Sequence, residues 1–83
     1  MARVRVLIRN KPGVFDPEGE AIKGGIERLG YENVRDVQVG KIVDIDIDID
    51  EVDDVEAEIE DICREFLVNP VIERYSIERV DGE

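Results

Sequence analysis

The sequence from Lys41 to Asp50 reads KIVDIDIDID, and this stretch decides the fold class. Val43, Ile45 and Ile47 alternate with aspartates, which is the period of two that a β-strand gives to its two faces. Valine and isoleucine are β-branched and favour strands, so one face is an apolar wall and the other is a row of carboxylates. A strand of this kind needs a second layer packed against its apolar face.

Outward from this stretch, further segments have strand patterns. In the first of them, Val4, Val6 and Ile8 form one face, and the other face has arginines with Leu7 among them. Tyr75 and Ile77 are the candidates for the inner face of the last. The glycine and lysine at positions 40 and 41 suit a two-residue turn, which predicts a hairpin between two strands. The predicted strands are Arg3–Asn10, Val34–Val39, Ile42–Ile49 and Ile72–Val80.

Two amphipathic helices separate these strands. Asp16-Pro17-Glu18 is a helix start, because aspartate caps free amides and proline at the first position has its φ pre-set. Ile22, Ile26 and Leu29 then form one apolar stripe, and Gly30 predicts the end.

The second helix is predicted from a cap at Asp53 or Asp54 to about Leu67, with Asn69-Pro70 as its stop. Its apolar stripe consists of Val55, Ile59, Ile62 and Phe66.

The element order is therefore β-α-β-β-α-β in a single domain over residues 1–83. This order predicts the α+β class, an antiparallel sheet with two helices on one face, as in a ferredoxin-like sandwich. A fold of this size buries only about 60% of the surface that its unfolded chain exposes. We therefore expect contacts with other subunits to add to its stability.

The formal net charge of −11 narrows the choice of partners. Acidic surfaces repel phosphate backbones and anionic lipid headgroups, so we expect neither nucleic acid nor membrane as a partner. The sequence has no apolar run of bilayer length and no pattern of a signal peptide, so a cytoplasmic location is expected. Acidic residues outnumber basic ones, and arginine outnumbers lysine. This composition fits adaptation to heat or to high salt.

Side chains for catalysis are scarce. Histidine is absent, so the commonest general base and the usual partner of a cysteine nucleophile are missing. Cys63 lies on the apolar stripe of the second helix and is predicted to be a buried, packed thiol. The aspartates from Asp44 to Asp50 do not fit a calcium loop in either register, since the glycine and glutamate it requires are missing. We predict no catalytic, cofactor-binding or metal-binding residue on this chain, and a solvated aspartate face.

Several segments of the chain together form a recognisable ordered set. They are Asp16-Pro17-Glu18-Gly19, Leu29-Gly30-Tyr31, Val37-Gln38-Val39-Gly40-Lys41 and Cys63 through Tyr75, which includes Leu67-Val68-Asn69-Pro70-Val71-Ile72-Glu73. Taken in order, these segments resemble those of the PurS family of phosphoribosylformylglycinamidine synthase subunits. Their order and spacing agree over nearly the whole chain. The sequence departs from the family pattern at Phe66-Leu67-Val68, where Leu-Leu-Ala is usual, and at Gly24-Gly25.

The resemblance implies a non-catalytic subunit of an enzyme complex in purine synthesis. That complex converts formylglycinamide ribonucleotide, glutamine and ATP into formylglycinamidine ribonucleotide, glutamate, ADP and phosphate. Its implied partners are a glutaminase subunit, PurQ, and a large synthetase subunit, PurL. The small subunit would hold them together and help to shield ammonia, while the complex uses ATP and Mg and this chain binds no cofactor.

Contacts with other proteins are expected on the sheet. Exposed strand edges can pair with another chain, which favours a homodimer or homotetramer. Lys41 is either a hairpin tip or a residue that reaches a partner subunit or a phosphate. The full set of interface candidates is Arg5, Arg9, Lys41, Asn69, Pro70, Glu73 and Tyr75.

An alternative function is a small-molecule sensor of the ACT type, which has the same element order. Such a domain binds an amino acid at a dimer interface through a glycine-rich first loop, and here that loop offers only Gly13. A thermal shift on adding amino acids would favour this alternative.

Overall fold

The computed structural model describes residues 2–48 and 54–80 of the chain. The elements in chain order are the strand β1 (Ala2–Asn10), the helix α1 (Pro17–Arg28), the strand β2 (Gly40–Ile47), the helix α2 (Val55–Ile62), a π-helical turn (Cys63–Leu67) and the strand β3 (Glu73–Arg79). The predictions for Ile49, Asp50, Asp53 and the tail from Asp81 lie outside the described residues. Within the described residues, no helix is long and apolar enough to cross a membrane.

The strands form an antiparallel sheet with β1 in the middle, in the order β2-β1-β3. Val6 lies opposite Val43 on one side and Ile77 on the other. Val4, Val6 and Ile8 are almost completely buried, as a central strand covered on one face requires. The predicted α+β class, the antiparallel sheet and the apolar inner face of these strands are confirmed.

Helix α2 packs on the apolar face of the sheet, which we call the inner face, and covers part of it. Ile59 and Cys63 on its stripe are both 0% exposed and pack against the buried residues of β1. Full burial of an isoleucine side chain stabilises a fold by about 1.5–3 kcal/mol, so Ile59 is one of the main contacts between the two layers. Asp54 caps the helix by accepting a hydrogen bond from the amide of Ala57 at 3.2 Å.

The predicted strand over Val34–Val39 and the predicted hairpin turn after it are wrong. Gly40 lies opposite Arg9 in the ladder between β1 and β2, so the supposed turn is the beginning of β2. Residues 31–39 contain no strand, because no neighbouring strand of the described chain lies beside them. An alternating sequence suits a strand, but a strand also needs a partner for its backbone groups. The described sheet therefore has three strands instead of the four expected.

Both predicted ends of α1 are confirmed. Asp16 is the N-cap and accepts a hydrogen bond from the amide of Gly19, and Pro17 is the first helical residue. At the other end Gly30 has a φ of +100°, and the amide of Tyr31 donates to the carbonyl of Ile26. This left-handed glycine with its reversed hydrogen bond is the Schellman motif, which satisfies carbonyls left free at a helix end.

Helix α1 does not join α2 on the sheet. None of its residues belongs to the hydrophobic core, and Ile22 and Leu29 on its apolar stripe are 45% and 76% exposed. The radius of gyration is 16.5 Å, against about 12 Å for a compact domain of this length. We call residues 17–39 the arm. Within one copy of the chain, the prediction of two helices on one face therefore holds for α2 and not for α1.

Candidate interaction surface

The structure brings most of the predicted interface residues to one end of the sheet. Arg9 lies opposite Gly40 in β2 and Arg74 in β3, and the following residue of β1 lies opposite Glu73. Lys41 and the segment 69–75 are at the same end. Arg5 lies further along the sheet, opposite Asp44. We call the first group, residues 9–11, 40–41 and 69–75, the sheet end.

The segment before β3 is held in place by hydrogen bonds within the chain. The amide of Asn69 donates to Glu73 Oε1 at 2.8 Å, and Asn69 Oδ1 accepts from the amide of Val71 at 3.1 Å. Lys11 Nζ donates to the carbonyl of Pro70 at 2.6 Å. Asn69 and Glu73 therefore fix the shape of the turn, and Pro70 lies at its exposed tip.

Lys41 extends across the end of β1 toward β3. Its Nζ lies 3.8 Å from Glu73 Oε2, and the side chains of Lys41 and Glu73 are 65% and 15% exposed. The partly buried carboxylate thus contacts both the turn and the lysine. Tyr75 points to the inner face and packs against the core, as predicted.

The opposite face of the sheet, which we call the outer face, carries two pairs of arginine and aspartate. Arg5 donates to Asp44 through Nε at 2.9 Å and Nη2 at 3.3 Å, and Arg3 donates to Asp46 at 2.8 and 3.2 Å. These hydrogen bonds hold the pKa of each aspartate below its usual value, and the arginine charges add to the effect. The predicted exposed aspartate face is confirmed at these two positions. Arg5, predicted as an interface residue, has this pairing within the chain.

A third pair on the outer face has the opposite character, because both of its members are arginines. Arg9 and Arg74 are directly opposite each other on β1 and β3, and both are exposed. In the described part of the chain, neither has a carboxylate within ion-pair distance. Sequence reasoning missed Arg74, since alternation along a strand does not reveal which residue lies across from it.

Asp16 joins the first turn of α1 to the far end of the arm, next to β2. Besides capping α1, it accepts a hydrogen bond through Oδ2 from the amide of Val39 at 2.7 Å. The hydrogen bonds from Val39 and then from Gly19 lower the pKa of Asp16. Gly19 is also required here, because a Cβ at this position would be 2.3 Å from the carbonyl oxygen of Val37. The sequence predicted the cap, but nothing in it indicated the bond from Val39.

The described residues offer contact surfaces and no reactive constellation. Among them, no group of three or more acidic or cysteine side chains is placed to hold a metal ion. Cys63 is buried, and its pKa is raised by desolvation and by the charge of Glu60, so the thiol stays protonated. The prediction of a packed thiol is confirmed.

Comparison with known proteins gives one consistent result. The family model described as "PurS: Phosphoribosylformylglycinamidine (FGAM) synthase" matches residues 3–81. The chain is 39% identical over 77 residues to the phosphoribosylformylglycinamidine synthase subunit PurS of Methanocaldococcus jannaschii, with 93% of each chain covered. It is 43% identical over 72 residues to the same subunit of Archaeoglobus fulgidus, covering 87% of this chain and 90% of that protein.

Solved structures agree with this result. The crystal structure of PurS from M. jannaschii, described as one of the subunits of formylglycinamide ribonucleotide amidotransferase in the purine biosynthetic pathway, has a TM-score of 0.84, 37% identity and full coverage of both chains. A chain in the structure of PurLQS from Thermotoga maritima has a TM-score of 0.83 at 23% identity and covers 95% of this chain and 96% of that one. The second likeness shows the fold alone.

Proposed function

The chain belongs to the PurS family of phosphoribosylformylglycinamidine synthase subunits, and we propose that within this enzyme it acts through contacts with other subunits and performs no chemistry itself. The family places the chain in an enzyme of purine biosynthesis. What the chain contributes to that enzyme has to come from its own surfaces.

One observation carries this proposal: a helix with an apolar stripe stands away from the core of its own chain. Large apolar side chains are normally covered, and an exposed stripe of this kind marks an interaction site. Phe15 and Tyr31, at the two ends of α1, are also exposed, by 70% and 61%. The absence of histidine from the sequence and the protonated thiol of Cys63 support a role without catalysis.

We assign the surfaces to contacts with the glutaminase PurQ and the synthetase PurL. The three-subunit PurLQS assembly of T. maritima contains a chain of this fold, which supports these partners. In this role the chain bridges the two subunits and helps to keep ammonia from solvent during transfer. ATP and Mg are then bound by the synthetase and not by this chain. The cytoplasmic location expected from the sequence stays a prediction.

The arm also favours a homodimer. A helix is about 10 Å wide and three strands span roughly 10–14 Å, so α2 alone leaves part of the inner face open. Val43, Ile45 and Ile77 on that face are only half-buried. If α1 of each copy lies on the inner face of the other, both apolar surfaces are covered at once. A second copy would also offer residues 34–39 the neighbouring strand that a single chain lacks.

Assembly of purified subunits tests the proposal. The chain, the glutaminase and the synthetase are mixed in pairs and all together, and the masses of the complexes are measured by size-exclusion chromatography with light scattering. We expect one complex that contains all three proteins and a homodimer when the chain is alone. A stable complex of glutaminase and synthetase that excludes this chain would contradict the bridging role.

A further inference from the structure

Arg9 and Arg74, two arginines that have no carboxylate partner among the described residues, face each other in a protein whose net charge is −11. Like charges at directly opposite positions of neighbouring strands destabilise a sheet. The neighbouring arginines of β1, Arg3 and Arg5, each have an aspartate across from them on β2. Arg9 and Arg74 have no such aspartate, although acidic residues outnumber basic ones by 22 to 11 in this chain.

The backbone explains why β2 supplies no acid at this position. The residue opposite Arg9 is Gly40, where a Cβ would be 2.5 Å from the carbonyl oxygen of Ile8. A side chain therefore cannot stand there without moving the backbone of β1. The charge of the two arginines can be compensated only by something outside this row of the sheet.

The surroundings of the pair are open and partly apolar. The next row of the outer face places Leu7 opposite Ile42, and Ile42 is 64% exposed. A groove of about 310 Å³ beside Arg9 is lined by Leu7 and Ile42 and also by the segment 38–41. A second groove of about 290 Å³ lies over Arg9, Arg74, Tyr75 and Ser76. The outer face thus combines two guanidinium groups with the exposed apolar side chain of Ile42.

We propose that Arg9 and Arg74 together bind an acidic segment of a partner subunit of the synthase, with its carboxylates on the guanidinium groups and an apolar side chain on Leu7 and Ile42. This inference rests on the proposed function and names the chemistry of one partner surface. Arginine binds carboxylate through two parallel hydrogen bonds, which gives the contact both strength and direction. In the proposed homodimer the arm of the second copy lies on the inner face, which leaves the outer face available.

A protein segment fits this surface better than a free phosphate does. Inorganic phosphate would use the two arginines and leave Ile42 exposed to water. A segment with both carboxylates and apolar side chains covers the whole surface.

The test measures binding of the chain to the purified synthetase and to the purified glutaminase, each immobilised in turn. The variants are Arg9→Ala, Arg74→Ala and the control Arg64→Ala, which removes the same charge from the π-helical turn, where Arg64 pairs with Glu60 and Asp61. We expect the Kd for one of the two subunits to rise about tenfold or more in each of the first two variants. The control should change the Kd less than twofold.

A second measurement separates docking from folding. Removal of either arginine relieves the repulsion across the strands, so Arg9→Ala and Arg74→Ala should unfold at the same or a higher urea concentration than the unaltered chain. Arg9→Lys and Arg74→Lys keep the charge and lose the fork, and we expect them to bind with intermediate affinity.

Equal weakening in all three alanine variants would overturn the inference, since it would reflect net charge alone. Unchanged binding in Arg9→Ala and Arg74→Ala would overturn it as well. So would a stabilisation of the chain by inorganic phosphate that both variants lose while they still bind the subunits normally. If the unaltered chain bound neither subunit, the proposed function would fail and this inference would fail with it.

Discussion

Replacement of Leu29 by alanine tests whether a second copy of the chain covers the arm. Leu29 lies on the apolar stripe of α1 and is 76% exposed in a single copy. Full burial of a leucine side chain contributes about 1.5–3 kcal/mol, so covering the exposed part contributes about 1–2 kcal/mol per copy. A homodimer contains this contact twice, which gives about 2–4 kcal/mol.

This free energy corresponds to a dimer dissociation constant roughly 30- to 700-fold higher in Leu29→Ala than in the unaltered chain. Sedimentation equilibrium over a dilution series measures the constant directly. Urea unfolding at two protein concentrations gives an independent reading, because the midpoint of a dimer shifts with concentration. Ile42→Ala is the matched control, since Ile42 is 64% exposed on the outer face, away from the proposed dimer contact.

A covered α1 and an exposed α1 give different results for this substitution. If α1 stays in water, Leu29→Ala should change the free energy of unfolding by no more than about 0.5 kcal/mol at every concentration, as surface substitutions do. The proposal of reciprocal arms would be refuted if Leu29→Ala and Ile42→Ala dimerised as tightly as the unaltered chain, or if that chain were a monomer.

Further substitutions, and measurements of stability at low pH, test the fold around these surfaces. Ile59→Ala should cost about 2–5 kcal/mol in urea unfolding, because it leaves a cavity between α2 and the sheet, and a cost below 1 kcal/mol would contradict that packing. Gly19→Ala should destabilise the chain, since its Cβ would be 2.3 Å from a backbone oxygen, whereas Gly24→Ala, which meets only an arginine side chain at 3.6 Å, should stabilise α1 by about 0.5–1 kcal/mol. The pKa values of Asp44 and Asp46 are lowered below 3.8, so near that pH the folded chain binds fewer protons than the unfolded chain. Their contribution to the stability of the fold is therefore complete above pH 3.8 and is lost as the pH falls further. The double variant with asparagine at both positions should therefore lose less stability in acid than the unaltered chain, and an identical loss in urea titrations below pH 4 would count against the two ion pairs.

Local signals in the sequence were sufficient for the ends of α1 and for the strand faces. Asp16-Pro17 and Gly30 act on the backbone within a few residues, so their effect does not depend on the rest of the fold. The alternation in β1 and β2 likewise identifies the buried face, because a strand has only two faces.

The sequence-based predictions that were wrong or missing concern contacts between segments that are distant along the chain. Residues 34–39 have a strand pattern, but whether they form a strand depends on a neighbour that the sequence does not identify. The stripe on α1 indicates that something covers the helix, and it cannot distinguish the chain's own sheet from the sheet of a second copy. The pairing of Arg9 with Arg74 depends on strand register, which appears only when the strands are placed side by side.

The most direct test of the central claim is the stoichiometry of glutamine use. Purified glutaminase and synthetase are supplied with formylglycinamide ribonucleotide, glutamine and ATP, and both glutamate and the amidine product are measured while this chain is added in increasing amounts. We predict about one product per glutamine once the chain saturates the two subunits, little product without it, and no turnover by the chain alone. One-to-one coupling at full rate in the absence of the chain would contradict the account.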